Sequence, residues 1–285
     1  MSIARLGVMV ALLGVAGTAY AGPVEDAIKR REVRVKITPG TAADETWRRV
    51  EGGALRFIES QSAMGGTRFA QPTLAQHEWE PVTLSTSVTG AARIDSSLGA
   101  VVAISPLTVR IPLIAAAAGA VSKEKAYRPG APAVESVTFV LRQRDGAVRD
   151  WVRMAYDGKD ARKDVTVTVR DAKGGVLRDY KLISSEPVSY NRVAYGDARE
   201  PAEVIVVRPQ RINVAGLAPG SGTWLAEAIS ATNGRRDVRI TEGSRTIGYA
   251  QAFITEYSVG PFSSNASDLT EKLAFAPGTS ADYLK

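Results

Sequence analysis

The chain has 285 residues, 45% of them hydrophobic and 23% charged, the balance of a polypeptide that buries an ordinary core and divides into one large domain or two modest ones. The absence of cysteine excludes disulfide scaffolds, thiol nucleophiles, iron–sulfur clusters and thiolate zinc sites, and a single histidine, His77, cannot supply a multi-histidine metal site. The formal charge of +6 is spread through mixed-sign stretches, without the basic cluster and interleaved aromatics of a nucleic-acid binder.

In chain order, Met1 to Arg5 carries a positive charge, Leu6 to Gly17 is an apolar run, and Ala19-Tyr20-Ala21 gives a small-x-small pattern before Gly22. These features read as a secretory signal peptide over 1–21, followed by an N-terminal β-rich part over 22–133. Val33 to Ile37 alternates apolar and basic residues and is expected to be the first mature strand, while Gly52-Gly53 and Gly65-Gly66 mark turns around Ala54 to Ser60. Two stretches, Glu80-Pro81-Val82-Thr83-Leu84 and Glu135-Ser136-Val137-Thr138-Phe139, each lead from an acid into a Val-Thr-apolar strand. Leu107 to Val121 contains Arg110 and Pro112 and is too short to span a bilayer; it reads as a buried strand running into small residues. Tyr127 to Pro132, with two prolines and a glycine, reads as a connector.

The second half repeats a spacing. Trp151 lies eleven residues before Arg162-Lys163-Asp164-Val165, and Trp224 lies eleven residues before Arg235-Arg236-Asp237-Val238. Each tryptophan is expected to open a short helix that stops at a glycine, Gly158 or Gly234. Each helix should lead into a hairpin: Val165 to Val169, a turn at Asp171 to Gly175, and Val176 to Ile183 in the first; Val238 to Thr241, a turn at Glu242-Gly243-Ser244, and Thr246 to Tyr257 in the second. A further strand follows each hairpin, Glu203 to Val207 and Leu269 to Phe275. The fold class expected is therefore β-rich α+β, built as β-sandwich or barrel modules each flanked by a short helix.

No catalytic, cofactor-binding or metal-binding residue is assigned. His77 lies between carboxylates in Gln76-His77-Glu78, but no nucleophile setting accompanies it. Asp157-Gly158-Lys159-Asp160 lacks the alternating oxygen ligands of a calcium loop. Gly216 to Gly222 lacks the Lys-Ser/Thr of a phosphate loop and reads as a flexible connector. Asn265-Ala266-Ser267 matches a glycosylation sequon. Trp151 and Trp224 are expected to anchor the core, Asp164 and Asp237 to accept backbone amides, and Arg162, Lys163, Arg235 and Arg236 to sit in solvated loops or to line a lumen.

Val137-Thr138-Phe139-Val140-Leu141-Arg142, Asp150-Trp151, Gly158-Lys159, Arg162 to Val165, Lys173-Gly174-Gly175 and Glu186-Pro187-Val188 together resemble the tail tube protein family of contractile-tailed phages, related to tube subunits of type VI secretion and contractile injection systems. Trp224, Arg235 to Val238, Ala252 to Glu256 and Leu273 to Pro277 are similar to the same pattern. The chain departs from that family in its signal-like N-terminus and in carrying the pattern twice. The resemblance implies a first tube-like module over 134–212 and a partial second over 213–285. It also implies a non-enzymatic structural protein of the kind built into a tail-like particle, whereas the signal-like N-terminus points to export to the periplasm or cell exterior. The resemblance implies self-association into rings or tubes, with other tail or injection-system components as further partners, and the duplicated tryptophan spacing adds the expectation that three chains close a pseudo-sixfold ring. No cofactor, no specific nucleic acid and no membrane span in the mature chain are expected. The alternative from another class is an exported monomeric β-rich binding module.

Overall fold

Apolar alternation at Val33, Val35 and Ile37 buries one side of the first strand and leaves Arg34, Lys36 and Thr38 exposed on the other. The computed structural model describes residues 33–38, 45–62, 71–115, 127–142, 146–195, 200–217, 219–230, 232, 234–263 and 269–278. Its strands are β1 (Val33–Thr38), β2 (Glu45–Trp47), β3 (Arg49–Gly52), β4 (Leu55–Ser62), β5 (Gln71–Trp79), β6 (Val82–Ser87), β7 (Arg93–Ser96), β8 (Val101–Ile104), β9 (Leu107–Arg110), β10 (Leu113–Ala115), β11 (Tyr127–Pro129), β12 (Ala133–Val134) and β13 (Val137–Arg142). They continue as β14 (Lys163–Arg170), β15 (Val176–Tyr195), β16 (Glu200–Arg208), β17 (Arg211–Ala215), β18 (Arg236–Glu242), β19 (Arg245–Val259), β20 (Phe262–Ser263) and β21 (Thr270–Ala276). With helices α1 (Ala147–Tyr156) and α2 (Pro219–Ile229), the described residues form a β-rich α+β fold. The signal-like segment 1–21, Gly65-Gly66, residues 116–121 and Asn265-Ala266-Ser267 lie outside the described residues, as does the side chain of His77 on β5.

Two large antiparallel sheets carry the chain. One has the order β2-β1-β18-β19-β21-β6-β3, with β9 also on β19; the other runs β20-β8-β13-β16-β15-β14-β7, with β17 also on β15. Besides these side pairings, β15 and β19 each divide along their length between two ladders. The first part of β15 pairs with β14 and its second part with β16, and β19 divides likewise between β18 and β21. Long-range closure follows from the register: β1 pairs with β18 through Val35↔Ile240, and β6 with β21 through Leu84↔Leu273. Strands from the N-terminal region thus complete the sheet that the Trp224 half begins, while β7, β8 and β13 complete the sheet of the Trp151 half.

Side chains from both sheets join one buried cluster, in which Trp224 lies 5.9 Å from Phe275 and Tyr180 5.8 Å from Phe262, centroid to centroid. The turn between β3 and β4 requires glycine at its first position: Gly52 has φ 81°, and a Cβ there would stand 2.1 Å from the Pro81 carbonyl oxygen.

Four expectations are corrected. Neither tryptophan opens its helix, since α1 begins at Ala147 and α2 at Pro219. Gly158 follows α1 with φ 71°, as a helix-ending glycine does, but α2 ends at Ile229, before Gly234. Gly216 to Gly222 is no flexible connector: from Pro219 onward it is the first turn of α2, where proline needs no amide partner and where the buried Glu45 carboxylate accepts the Ser221 amide at 2.9 Å. The Tyr127 to Pro132 stretch contributes a short ladder, β10–β11, because Pro129 sits at the strand's end, where its missing amide disrupts nothing further along.

Candidate functional site

The repeated sequence spacing becomes a repeated set of contacts. Each indole nitrogen donates to the carbonyl ten residues further on, Trp151 to Ala161 and Trp224 to Gly234, and both rings are buried. Thirteen positions after each indole, an aspartate reaches across its hairpin. Asp164 Oδ1 accepts the Ser184 amide at 3.0 Å and Asp237 Oδ1 accepts the Gln251 amide at 2.9 Å. Both recipients have left-handed backbone, φ 50° and 54°, and they are the only described non-glycine residues that do. In each hairpin the register breaks at the aspartate, so the carboxylate fixes a bulge that turns the long strand from its first ladder into its second. The partners are therefore amides across the sheet rather than in a local turn. Hydrogen bonding by that amide lowers the Asp164 pKa, with Lys181 adding to the effect.

A second matched pair lies deeper. Glu203 on β16 and Glu271 on β21 are each only 2% exposed, and each accepts a tyrosine hydroxyl from the neighbouring long strand, Tyr190 at 2.9 Å and Tyr257 at 3.1 Å. Their surroundings then diverge. Glu203 has Arg192 at 3.9 Å, at the solvent boundary. Glu271 accepts two hydrogen bonds from Arg178, at 2.9 and 3.0 Å, and a second hydroxyl, Tyr180, at 2.9 Å. Because Arg178 and Tyr180 sit on β15, this buried carboxylate ties the two sheets together. Burial raises the pKa of both Tyr180 and Tyr257 well above the ordinary tyrosine value, and the Glu271 charge adds to the effect. Sequence reading missed these residues; the signal was a tyrosine 13 or 14 positions ahead of a strand glutamate, masked by the unequal loops between.

The basic quartet is not uniformly solvated. Arg162 is exposed and holds Asp160 at about 2 through side-chain and backbone hydrogen bonds. Lys163 lies 4.0 Å over the Trp151 ring, and burial lowers its pKa. Arg236, at the matching position, is instead paired with Glu227 on α2, and Arg235 covers Phe253 while donating to the carbonyls of Gln251 and Tyr127. Among the described residues, no group of three or more His, Asp and Glu side chains stands where it could hold a metal ion. No helix there is long and apolar enough to cross a membrane.

The two long strands differ at one edge. On β19 the second part is covered by β9, through Glu256↔Arg110, Tyr257↔Val109, Ser258↔Thr108 and Val259↔Leu107, and the Ile111 amide donates to the Thr255 carbonyl at 2.8 Å. The matching part of β15 pairs only with β16 among the described residues. Val188, which stands where Thr255 stands in the other half, is 53% exposed.

No protein-family model matches the chain, and no curated protein matches it. Solved structures similar to it include tube and cap proteins of contractile injection systems. The anti-feeding prophage tube terminating cap is 16% identical, over 43% of this chain and 87% of that chain, with a TM-score of 0.38. Hcp1 from Flavobacterium johnsoniae is 13% identical over 45% of this chain and 96% of that chain, with a TM-score of 0.29. The sheath/tube terminator of the extracellular contractile injection system PVC is 13% identical over 70% of this chain and 99% of that chain, with a TM-score of 0.22. Likeness at these values assigns this chain neither family nor activity.

Proposed function

We propose that the chain is an exported, non-catalytic structural protein that contains two copies of one sheet-and-helix module and self-associates through strand edges into rings or tubes. Duplication is supported by four shared details: the indole bond to a carbonyl ten residues on, the aspartate-capped left-handed residue, the register breaks that divide the long strand, and the tyrosine on a buried glutamate. In this reading one module is built from 93–104 and 137–208, the other from 33–87 and 219–276, and β9 from the segment between adds to the sheet of the second. The signal-like pattern over Met1 to Ala21 supports export.

The observation that carries self-association is the edge of β15 that, among the described residues, no strand covers. Strand addition there is supported by the other half, where β9 adds to the matching edge of β19 and satisfies its backbone groups. An open edge with an exposed valine is a template for another strand, and a closed ring turns that hazard into directed assembly. The β10–β11 arm, with Leu113 and Ile114 exposed, offers a strand to a neighbour. Three chains, each supplying two module positions, would close a pseudo-sixfold ring. The test is negative-stain microscopy with sedimentation at high concentration: rings that disappear in Val188→Lys while circular dichroism is unchanged are expected. A monodisperse monomer without rings overturns the reading in favour of a monomeric binding module.

A further inference from the structure

The outer side of the β1–β18 ladder carries an uncompensated positive strip. Arg34, Lys36, Arg239 and Thr241 line a surface depression of about 210 Å³, and the register sets Lys36 directly opposite Arg239 and Arg34 opposite Thr241. Like charges facing each other across an antiparallel pair destabilise a sheet, yet among the described residues none of these three cations has an ion-pair or hydrogen-bond partner. An adjoining depression of about 360 Å³ continues the strip past Thr38 and Asp237, whose Oδ1 is already occupied by the Gln251 amide.

The other half shows that the architecture does not demand this arrangement. Counting from Asp164 and Asp237, the positions of Arg239 and Thr241 are taken by Thr166 and Thr168, and those of Arg34 and Lys36 by Asp95 and Ser97. There the charges are closed. Asp95 bridges Arg93 and Arg170, each at 2.8 Å, and the Thr166 amide donates to Ser97 Oγ at 3.0 Å. One outer face carries its own carboxylate, and the matching face presents cations in the same place.

We propose that the strip docks an extended acidic segment of a partner protein, whose carboxylates take the part that Asp95 plays in the first half. Arg34 and Lys36 stand two residues apart on one side of a strand, about 6.8 Å, which is the repeat of alternate side chains on an extended peptide. The exposed side chains of the strip, Arg34, Lys36, Thr38 and Arg239, include no aromatic ring, and Tyr249, which borders the adjoining depression, is only 4% exposed. That favours carboxylates over single-stranded nucleic acid, which such surfaces hold partly by stacking. Docking here stands apart from ring formation, since it uses the face of β1–β18 and not the edge of β15.

The test is fluorescence anisotropy on the full chain with a labelled ten-residue peptide of alternating Glu and Thr. Saturable binding that weakens with salt is expected, along with a loss of about tenfold or more when Arg34→Gln, Lys36→Gln and Arg239→Gln are combined. Arg93→Gln with Lys181→Gln, on the other half's face, should leave affinity within about twofold. Independently of any variant, bound peptide should protect Lys36 from acetylation, read by mass spectrometry, while Lys173 in the Asp171–Gly175 turn stays reactive. Peptide that binds the triple variant as well as the parent, labelling of Lys36 unchanged by peptide, or a single-stranded oligonucleotide of equal charge binding as tightly as the peptide would each overturn the assignment.

Discussion

Glu203 and Glu271 occupy the same place in two halves of one molecule, yet they hold different amounts of structure. Each sits under a tyrosine hydroxyl from the long strand beside it. Glu203 faces an arginine that is 46% exposed and can turn to water when its partner is lost. Arg178, by contrast, is only 19% exposed beside Glu271, and its head group also donates to the carbonyls of Leu177 and Gly216. A shared plan therefore fixes where a buried charge stands, and the neighbours alone fix what it costs to remove.

The largest expected effect breaks that comparison at its stronger member. Glu271→Leu should destabilise by about 3–5 kcal/mol, because Arg178 is left buried without its counter-charge, whereas Glu203→Leu should cost about 1–2 kcal/mol. Urea unfolding of the two variants measures the difference, and equal losses would remove Glu271 as the tie between the sheets. Next comes a pH effect confined to the same cluster. Tyr180 and Tyr257 have folded-state pKa values raised by burial, so their neutral forms are favoured in the fold. Their contribution is complete below about pH 10 and is lost as pH rises through the unfolded value toward the folded one. Stability should fall above about pH 10 together with the rise of tyrosinate absorbance, and the combined Tyr180→Phe and Tyr257→Phe variant should flatten that fall while being less stable at neutral pH.

A smaller and matched pair of effects sharpens the likeness between the halves. Asp164→Ala and Asp237→Ala should each cost about 1–2 kcal/mol by leaving the amide of a left-handed residue without its acceptor, with the two values within about 0.5 kcal/mol of each other. Thermal unfolding of both variants gives the comparison; a large loss in one and none in the other would separate the two hairpins. The smallest effect is expected at Arg162→Gln. The Asp160–Arg162 pair is exposed, so the change in midpoint should be within error even though the ion pair has good geometry.

Much of this was legible in the residues. Alternation located β1 and β14, with Val33, Val35 and Ile37 and then Val165, Val167 and Val169 all buried as the pattern requires. The tryptophan-to-aspartate spacing located both hairpins, because every contact in that corner closes within a short span of chain. What escaped notice depends on distance. The pairing of β1 with β18 leaves no periodic mark in either segment, and Glu45 reads as one more acid until α2 places its first amides against it. The glycines from 216 to 222 pointed to a connector because their backbone preference is weak, and the burial of Trp224, Leu225 and Ala228 overrides it. Charge spread over the whole chain also hid the strip at Arg34, Lys36 and Arg239, which exists only once β1 lies beside β18.

That late pairing bears on how the molecule is made. Synthesis delivers Val33, Val35, Ile37 and Leu84 long before their partners on β18 and β21. Within residues 93–208, β7, β8, β13, β14, β15 and β16 can close their ladders with one another first, while β9 and the earlier strands wait for the later partners. An interrupted chain would therefore be a sticky one, and a holdase that keeps the early strands apart until β18 and β21 arrive would raise the yield of folded protein more than any aid given to the inner unit.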